Sequence, residues 1–156
     1  LSGGGSFIDT GCHSLDLFHY LVGPSQVEAC VRNFAWPGRG ESSATALVRD
    51  RENGVAGMIL SGWLEPARFT VMLVGTEGSL FYDYEKPTEL FFRRDDGPAT
   101  VTHVETHELR FQRQLEGFVR ACRGERVPDL ATFREGLLTA QAVDEALSIS
   151  AEASVG

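Results

Sequence analysis

The chain has 156 residues, of which 42% are hydrophobic and 23% charged, and its net charge is −8. That length fits one domain, able to bury roughly 68–70% of its unfolded surface. The acid excess and the scatter of the basic residues, all arginine except Lys86, exclude a nucleic-acid partner, which needs clustered cations. No stretch approaches the ~20 apolar residues of a membrane span, and no basic-then-apolar signal segment opens the chain. Cys12, Cys30 and Cys122 make neither a C-x-x-C nor a disulfide framework, so reduced thiols, a cytoplasmic setting and no structural metal are expected.

The opening stretch runs from Gly3-Gly4-Gly5 through Phe7-Ile8 to Asp9, His13 and Asp16. Leu15, Phe18, Leu21 and Val22 follow at helical spacing, and Gly23-Pro24 ends the run. Stepping about 100° per residue from Asp9 puts His13, Asp16 and Tyr20 within about 40° of it. Leu15, Phe18 and Val22 fall on the far side. One face should therefore pack, and the other carries carboxylate, imidazole, carboxylate and phenol. A carboxylate one turn from an imidazole fixes its tautomer and favours its protonated form. Such a histidine can take a proton from a hydroxyl near neutral pH. The plainer alternative makes Asp9 a helix cap and His13 an ordinary exposed histidine. The glycines read both as a tight entry to the helix and as room for a ligand to approach the backbone.

Beyond Pro24 the period changes to two. Val27, Ala29 and Val31 alternate with Glu28, Cys30 and Arg32 as a strand. Trp36-Pro37-Gly38-Arg39-Gly40 is a turn cluster, and Ser43–Arg49 returns with Ala44, Ala46 and Val48 on one side. Asp50–Gly54 is a hairpin turn before a strand over Val55–Trp63, where Gly57 and Gly62 suggest a bulge or a close backbone approach. Phe69–Val74 and Ser79–Tyr84 flank Gly75–Gly78. Glu89–Arg93 and Thr100–Glu105 flank Asp95–Pro98. Strands joined by short hairpins imply an antiparallel sheet. Leu115, Phe118, Val119 and Cys122 form an apolar helical stripe ending at Gly124. Thr132–Glu135 is a capping box before a last helix that carries Phe133, Leu137, Ala140, Val143, Leu147 and Ile149. The predicted fold is α+β: a largely antiparallel open-faced sheet with helices on one face. If that leaves one sheet face bare, its large apolar residues need cover from another subunit.

Some features point elsewhere. No βαβ unit with G-x-G-x-x-G is present. His103 and His107, with Glu105 and Glu108, have metal-like spacing, but the alternation there reads as an edge strand. His19 lies off the Asp9/His13 stripe, as a helix-flank residue.

GGG-x-x-x-D-x-G-x-H-x-x-D-x-x-x-x-L-x-G, matched here by Gly3, Gly4, Gly5, Asp9, Gly11, His13, Asp16, Leu21 and Gly23, resembles the signature opening the C-terminal domain of the glucose–fructose oxidoreductase/inositol dehydrogenase/rhizopine catabolism (Gfo/Idh/MocA) family. Val74–Leu80 is similar to that family's G-T-x-G-x-L hairpin, and Phe111–Ala153 resembles its closing helices. The resemblance implies that residues 1–156 form a single substrate-binding and oligomerisation domain, without the Rossmann nucleotide-binding domain that precedes the signature in the family. It implies a part in NAD(P)-dependent hydride transfer on a sugar, inositol or related polyol, with NAD or NADP held mainly by that other domain. His13 would be the general acid/base and Asp9 its partner, with Asp16 and Tyr20 on substrate hydroxyls. A homodimer or homotetramer through the sheet face would follow, and the 156-residue chain alone would be inactive. Glu85-Lys86-Pro87 matches the family's lysine tripeptide but stands on the wrong side of the signature, so Lys86 reads as a solvated turn residue. Non-catalytic relatives that sense ligands or regulate partners are the alternative.

Overall fold

A computed structural model describes residues 4–64, 68–94, 97–105, 109–149 and 151–152. The chain divides into two compact units, residues 1–65 with 131–156, and residues 66–130. The fold is α+β as expected, and its strands are shared between two four-stranded sheets.

The first unit opens with a π-helical turn, Phe7–Gly11, that runs directly into α1, Cys12–Leu21. The Cys12 N–H reaches back five residues to the Phe7 carbonyl, which marks the wide turn. Its sheet has the order β3-β2-β1-β8, from β1 (Ser25–Asn33), β2 (Ser43–Asp50), β3 (Ala56–Gly62) and the two-residue β8 (Ala151–Glu152). β1–β3 pair antiparallel, while β8 runs parallel to β1. The alternation in β2 comes out as expected: Ala44, Ala46 and Val48 are buried, and Leu47 is exposed. Gly57 faces the Phe18 ring so closely that a Cβ would lie 2.6 Å from Cε2, so this glycine marks the predicted close approach. The register shift falls elsewhere, in β1 between Val27 and Ala29.

The π-helical turn, α1 and α3 (Phe133–Ile149) cover the inner face of this sheet. Phe7, Leu15, Val27, Cys30, Ala44, Ala46, Val48, Ile59, Ala142, Val143 and Ala146 make one core. The capping box is formed: the Thr132 N–H donates to Glu135 Oε2 at 2.6 Å, and the Glu135 N–H donates to Thr132 Oγ1 at 3.3 Å. The packed face of α3 differs from expectation. Val143 is buried and Leu147 packs on the core as expected, but Phe133, Leu137, Ala140 and Ile149 are exposed, and Thr139, Ala142 and Ala146 are buried instead. Close packing against α1 and β1 favours the small Thr139, Ala142 and Ala146 at the contact.

The second unit has a sheet of order β4-β5-β6-β7, from β4 (Thr70–Gly75), β5 (Gly78–Asp83), β6 (Glu89–Arg93) and β7 (Thr100–His103), followed by α2 (Arg110–Cys122). All its pairings are antiparallel, and Gly75 opposes Gly78 across the predicted hairpin. The apolar stripe of α2, with Leu115 and Phe118, is exposed.

Leu15 is fully buried between α1 and the sheet. Leu15→Ala should cost about 2–5 kcal/mol, read as a lowered denaturation midpoint. A cost below about 1 kcal/mol would mean that α1 is not packed as described.

Candidate functional site

The site is built on the entry to α1. The Ser6 N–H donates to the Glu41 carbonyl at 2.9 Å, and the Phe7 N–H donates to Glu41 Oε1 at 2.9 Å. Glu41 is buried, so its carboxylate caps the first turn from outside the helix, where exposed N–H groups favour an anion. Gly5 makes room for it, since a Cβ there would lie 1.9 Å from the Glu41 carboxyl, and Gly40 presses on the Gly5 backbone. Gly5 therefore serves the structural half of the role expected of Gly3-Gly4-Gly5, of which Gly3 lies outside the described residues.

Asp9 and His13 are both exposed, on the polar side of the segment whose other side buries Phe7 and Leu15. The Asp9 carboxylate is held from the sheet: the Trp63 indole N–H donates to Oδ2 at 3.0 Å. Among the described residues, the His13 imidazole makes no hydrogen bond, to Asp9 or to any other group. A second tie joins the same elements, Ser6 Oγ and Ser61 Oγ at 3.3 Å. Trp63 is fixed in turn by its own N–H, which donates to the Ser42 carbonyl at 2.9 Å. The sequence pattern placed Trp63 only at the end of a strand and did not signal Glu41. Each partner lies 54 or 34 residues from the group it holds, beyond the reach of local pattern.

Asp16 and Tyr20 share the exposed side, and Tyr20 is 73% exposed. Asp16 also ties α1 to α3, since Thr139 Oγ1 donates to Asp16 Oδ1 at 3.1 Å. Thr139 is also 3.3 Å from His19 Nδ1, and Ser25 Oγ is 2.9 Å from His19 Nε2. Thr139 has one proton, and the carboxylate takes it, so Nδ1 must carry the hydrogen that reaches Thr139. Nε2 then accepts from Ser25. His19 is thus the centre of a polar link between α1, α3 and β1 rather than a simple flank residue.

Lys86 sits in the second unit, in the turn between β5 and β6. Its ammonium is 3.9 Å from Glu89 and 5.5 Å from the Phe91 ring centre. Asp83 anchors that turn by accepting the Glu85 N–H at 3.0 Å and Arg68 at 3.1 Å. The backbone donor and the guanidinium hold its carboxyl below the usual range. Lys86 is therefore an exposed turn residue, as its order in the sequence suggested. His103 is exposed on β7, while His107 and Glu108 lie outside the described residues. Among the described residues, no three or more His, Cys, Asp or Glu side chains gather as metal ligands. No described helix is long and apolar enough to cross a membrane.

The model of the GFO/IDH/MocA C-terminal domain matches residues 1–81. The chain belongs to the GFO/IDH/MocA C-terminal domain family. The rhizopine catabolism protein MocA of Rhizobium meliloti is 32% identical over 157 residues, covering 94% of this chain and 45% of that protein. A 3-ketoreductase from Actinomadura kijaniata, solved with NADP and TDP-benzene, shares the fold with a TM-score of 0.82 at 19% identity, over 96% of this chain and 47% of that one. An oxidoreductase from Sinorhizobium meliloti matches with a TM-score of 0.76 at 21% identity, over 92% and 49%. The chain thus spans about half the length of these GFO/IDH/MocA-like relatives.

Burial lowers the His19 pKa below 6.5; the nearby Asp16 charge opposes the shift and Arg51 adds to it. Below that value the unfolded chain takes the proton first, so this contribution to stability is complete above about pH 6.5 and is lost as pH falls. Urea midpoints should therefore drop between about pH 7 and pH 5, and His19→Gln should flatten that slope. An unchanged slope would remove His19 from the pH response.

Proposed function

We propose that this chain is the substrate-binding, proton-transferring and assembly domain of an NAD(P)-dependent oxidoreductase that acts on a sugar, inositol or related polyol. The observation that carries this reading is the exposed Asp9/His13 pair inside the family signature, on a helix whose opposite face is locked into the core. The NADP-bound 3-ketoreductase of the same fold supports the cofactor class and carbonyl chemistry. Gly5 and Gly40 leave no room for a phosphate at the helix entry, since they are closed by Glu41 and by each other. As the family resemblance implies, the nucleotide would be held mainly by a separate nucleotide-binding domain, where NAD(P) would accept or supply the hydride. His13 takes the proton of the substrate hydroxyl during oxidation and returns it during reduction. Asp9 orients the imidazole and balances the imidazolium charge. Tyr20, and the Asp16 oxygen not engaged by Thr139, are placed to bind further hydroxyls. The free thiols Cys12, Cys30 and Cys122 fit a cytoplasmic setting.

The outer face of the first sheet supports the assembly role. Val31, Leu47, Met58 and Leu60 are 47%, 47%, 60% and 62% exposed. β-Sheet pairing places Leu47 beside Met58 and sets Thr45 between Val31 and Leu60 on one face. A second copy of the chain is the proposed cover, giving a dimer or tetramer. Leu60→Glu should shift the protein to monomer in sedimentation velocity at micromolar concentration. A wild-type monomer would remove the assembly role.

The catalytic reading is tested in the whole protein with NADH, NADPH and a panel of sugars and polyols, following absorbance. His13→Ala should lower kcat by about 10²–10⁴ with little change in melting temperature. Lys86→Ala should leave kcat unchanged, and the 156-residue chain alone should show no turnover. Wild-type kcat with a lowered melting temperature in His13→Ala would make His13 structural and favour the ligand-sensing alternative.

A further inference from the structure

We infer that Trp63 is a positioning residue of this site, one that sets which oxygen of Asp9 is available to His13. The inference rests on the catalytic reading of Asp9 and His13. Asp9 is exposed on a helical turn, where an aspartate would ordinarily sample several rotamers and water-bonded states. Here a neutral donor from another element holds it, with the Trp63 indole N–H on Oδ2 at 3.0 Å. The donor is itself held in place. The Trp63 backbone N–H is tied to Ser42. Ser42 is fully buried, and both its backbone N–H and its hydroxyl donate to the Asn33 carbonyl, at 2.8 and 2.9 Å. The neighbouring Ser61–Ser6 contact joins the same strand end to the start of the same turn. The Asp9 carboxylate is thus located by the sheet rather than by its own helix.

The chemistry of the donor narrows its role. An indole N–H donates one hydrogen bond, accepts none and does not titrate near neutral pH. Trp63 therefore cannot move protons for the reaction, and its contact can only orient. It occupies Oδ2 and leaves Oδ1 without a hydrogen-bond partner among the described residues, as an acceptor one turn before His13. An imidazole that bonds to this fixed oxygen during the reaction keeps the tautomer that can take a hydroxyl proton.

A specific non-additivity follows. In Asp9→Asn the indole N–H still needs an acceptor, so the amide carbonyl takes the place of Oδ2 and the NH₂ takes the place of Oδ1. His13 is then offered a donor where the carboxylate offers an acceptor. Removing the indole donor frees the amide to turn its carbonyl toward the imidazole. In the whole protein, Trp63→Phe alone should lower kcat by about 10- to 10²-fold, the scale for a misplaced catalytic group, with KM for the cofactor unchanged. In the Asp9→Asn background the same change should leave kcat level or raise it. The physical contact is read separately, from the Trp63 indole N–H resonance in a ¹H–¹⁵N spectrum, assigned by its loss in Trp63→Phe. That resonance should move in Asp9→Ala. Equal fold-losses from Trp63→Phe in both backgrounds, a wild-type kcat in Trp63→Phe, or an indole resonance unmoved by Asp9→Ala would each overturn the proposal. Absence of turnover in the wild-type protein would instead sink the oxidoreductase reading. The resonance alone would then decide whether Trp63 holds Asp9, as it would if Trp63→Phe failed to fold by circular dichroism.

Discussion

The arrangement depends on one buried carboxylate. Glu41 sits at the entry to the first helix, where it accepts the Phe7 N–H while its own carbonyl accepts the Ser6 N–H. A buried carboxylate without such donors would be costly, so the contact and the burial require each other. Its consequences run outward. Gly5 and Gly40 must lack side chains to let Glu41 in. The entry angle then drives Phe7 and Leu15 into the core. Asp9 and His13 are left exposed on the opposite side. The site is presented by a helix that cannot roll, because its two ends are pinned by different chemistry: Glu41 at the start, and the Asp16–Thr139–His19–Ser25 chain further along.

How much of this was legible follows from the range of each interaction. Local signals read well. The Thr132–Glu135 box, the hairpin at Gly75–Gly78 and the Ala44/Ala46/Val48 alternation all have their causes within a few residues, and all are formed. The division of α1 into a packed and an exposed side was also legible, since Leu15 and His13 fall where a helical period puts them. The π-helical turn was not. One wider turn changes the step of the helix without changing which residues are apolar, and the tight contact of Gly11 with the Phe7 ring is visible only in the fold.

The last helix shows a different failure. Apolar residues marked the expected packed face; Val143 and Leu147 do pack, but Phe133, Leu137, Ala140 and Ile149 are exposed, and Thr139, Ala142 and Ala146 are buried instead. When two helices and a sheet meet at close range, the contact selects small side chains and one satisfied hydroxyl, and hydrophobicity alone cannot rank them. Thr139 has a second reason to be there, since it links Asp16 to His19. Long-range partners form the remaining gap. Trp63 reads as one more sheet aromatic until the fold sets its N–H on Asp9.

The exposed groups of the first unit share one physical requirement. Asp9 and His13 stand in water, where a charge pair at 4 Å is worth about 1 kcal/mol, whereas a drier site multiplies that several-fold. Proton transfer between a hydroxyl and an imidazole gains from the same exclusion of water. The outer face of the first sheet is apolar and equally exposed, and it gains from cover through the hydrophobic effect. A chain with an exposed acid–histidine pair on one element and a bare apolar face on its sheet reaches its working electrostatics and its full burial only when both are covered. The catalytic and assembly parts of the proposed function are then two responses to one incompleteness. On the proposed reading, substrate and nucleotide would cover the helix side and a second copy of the chain the sheet side.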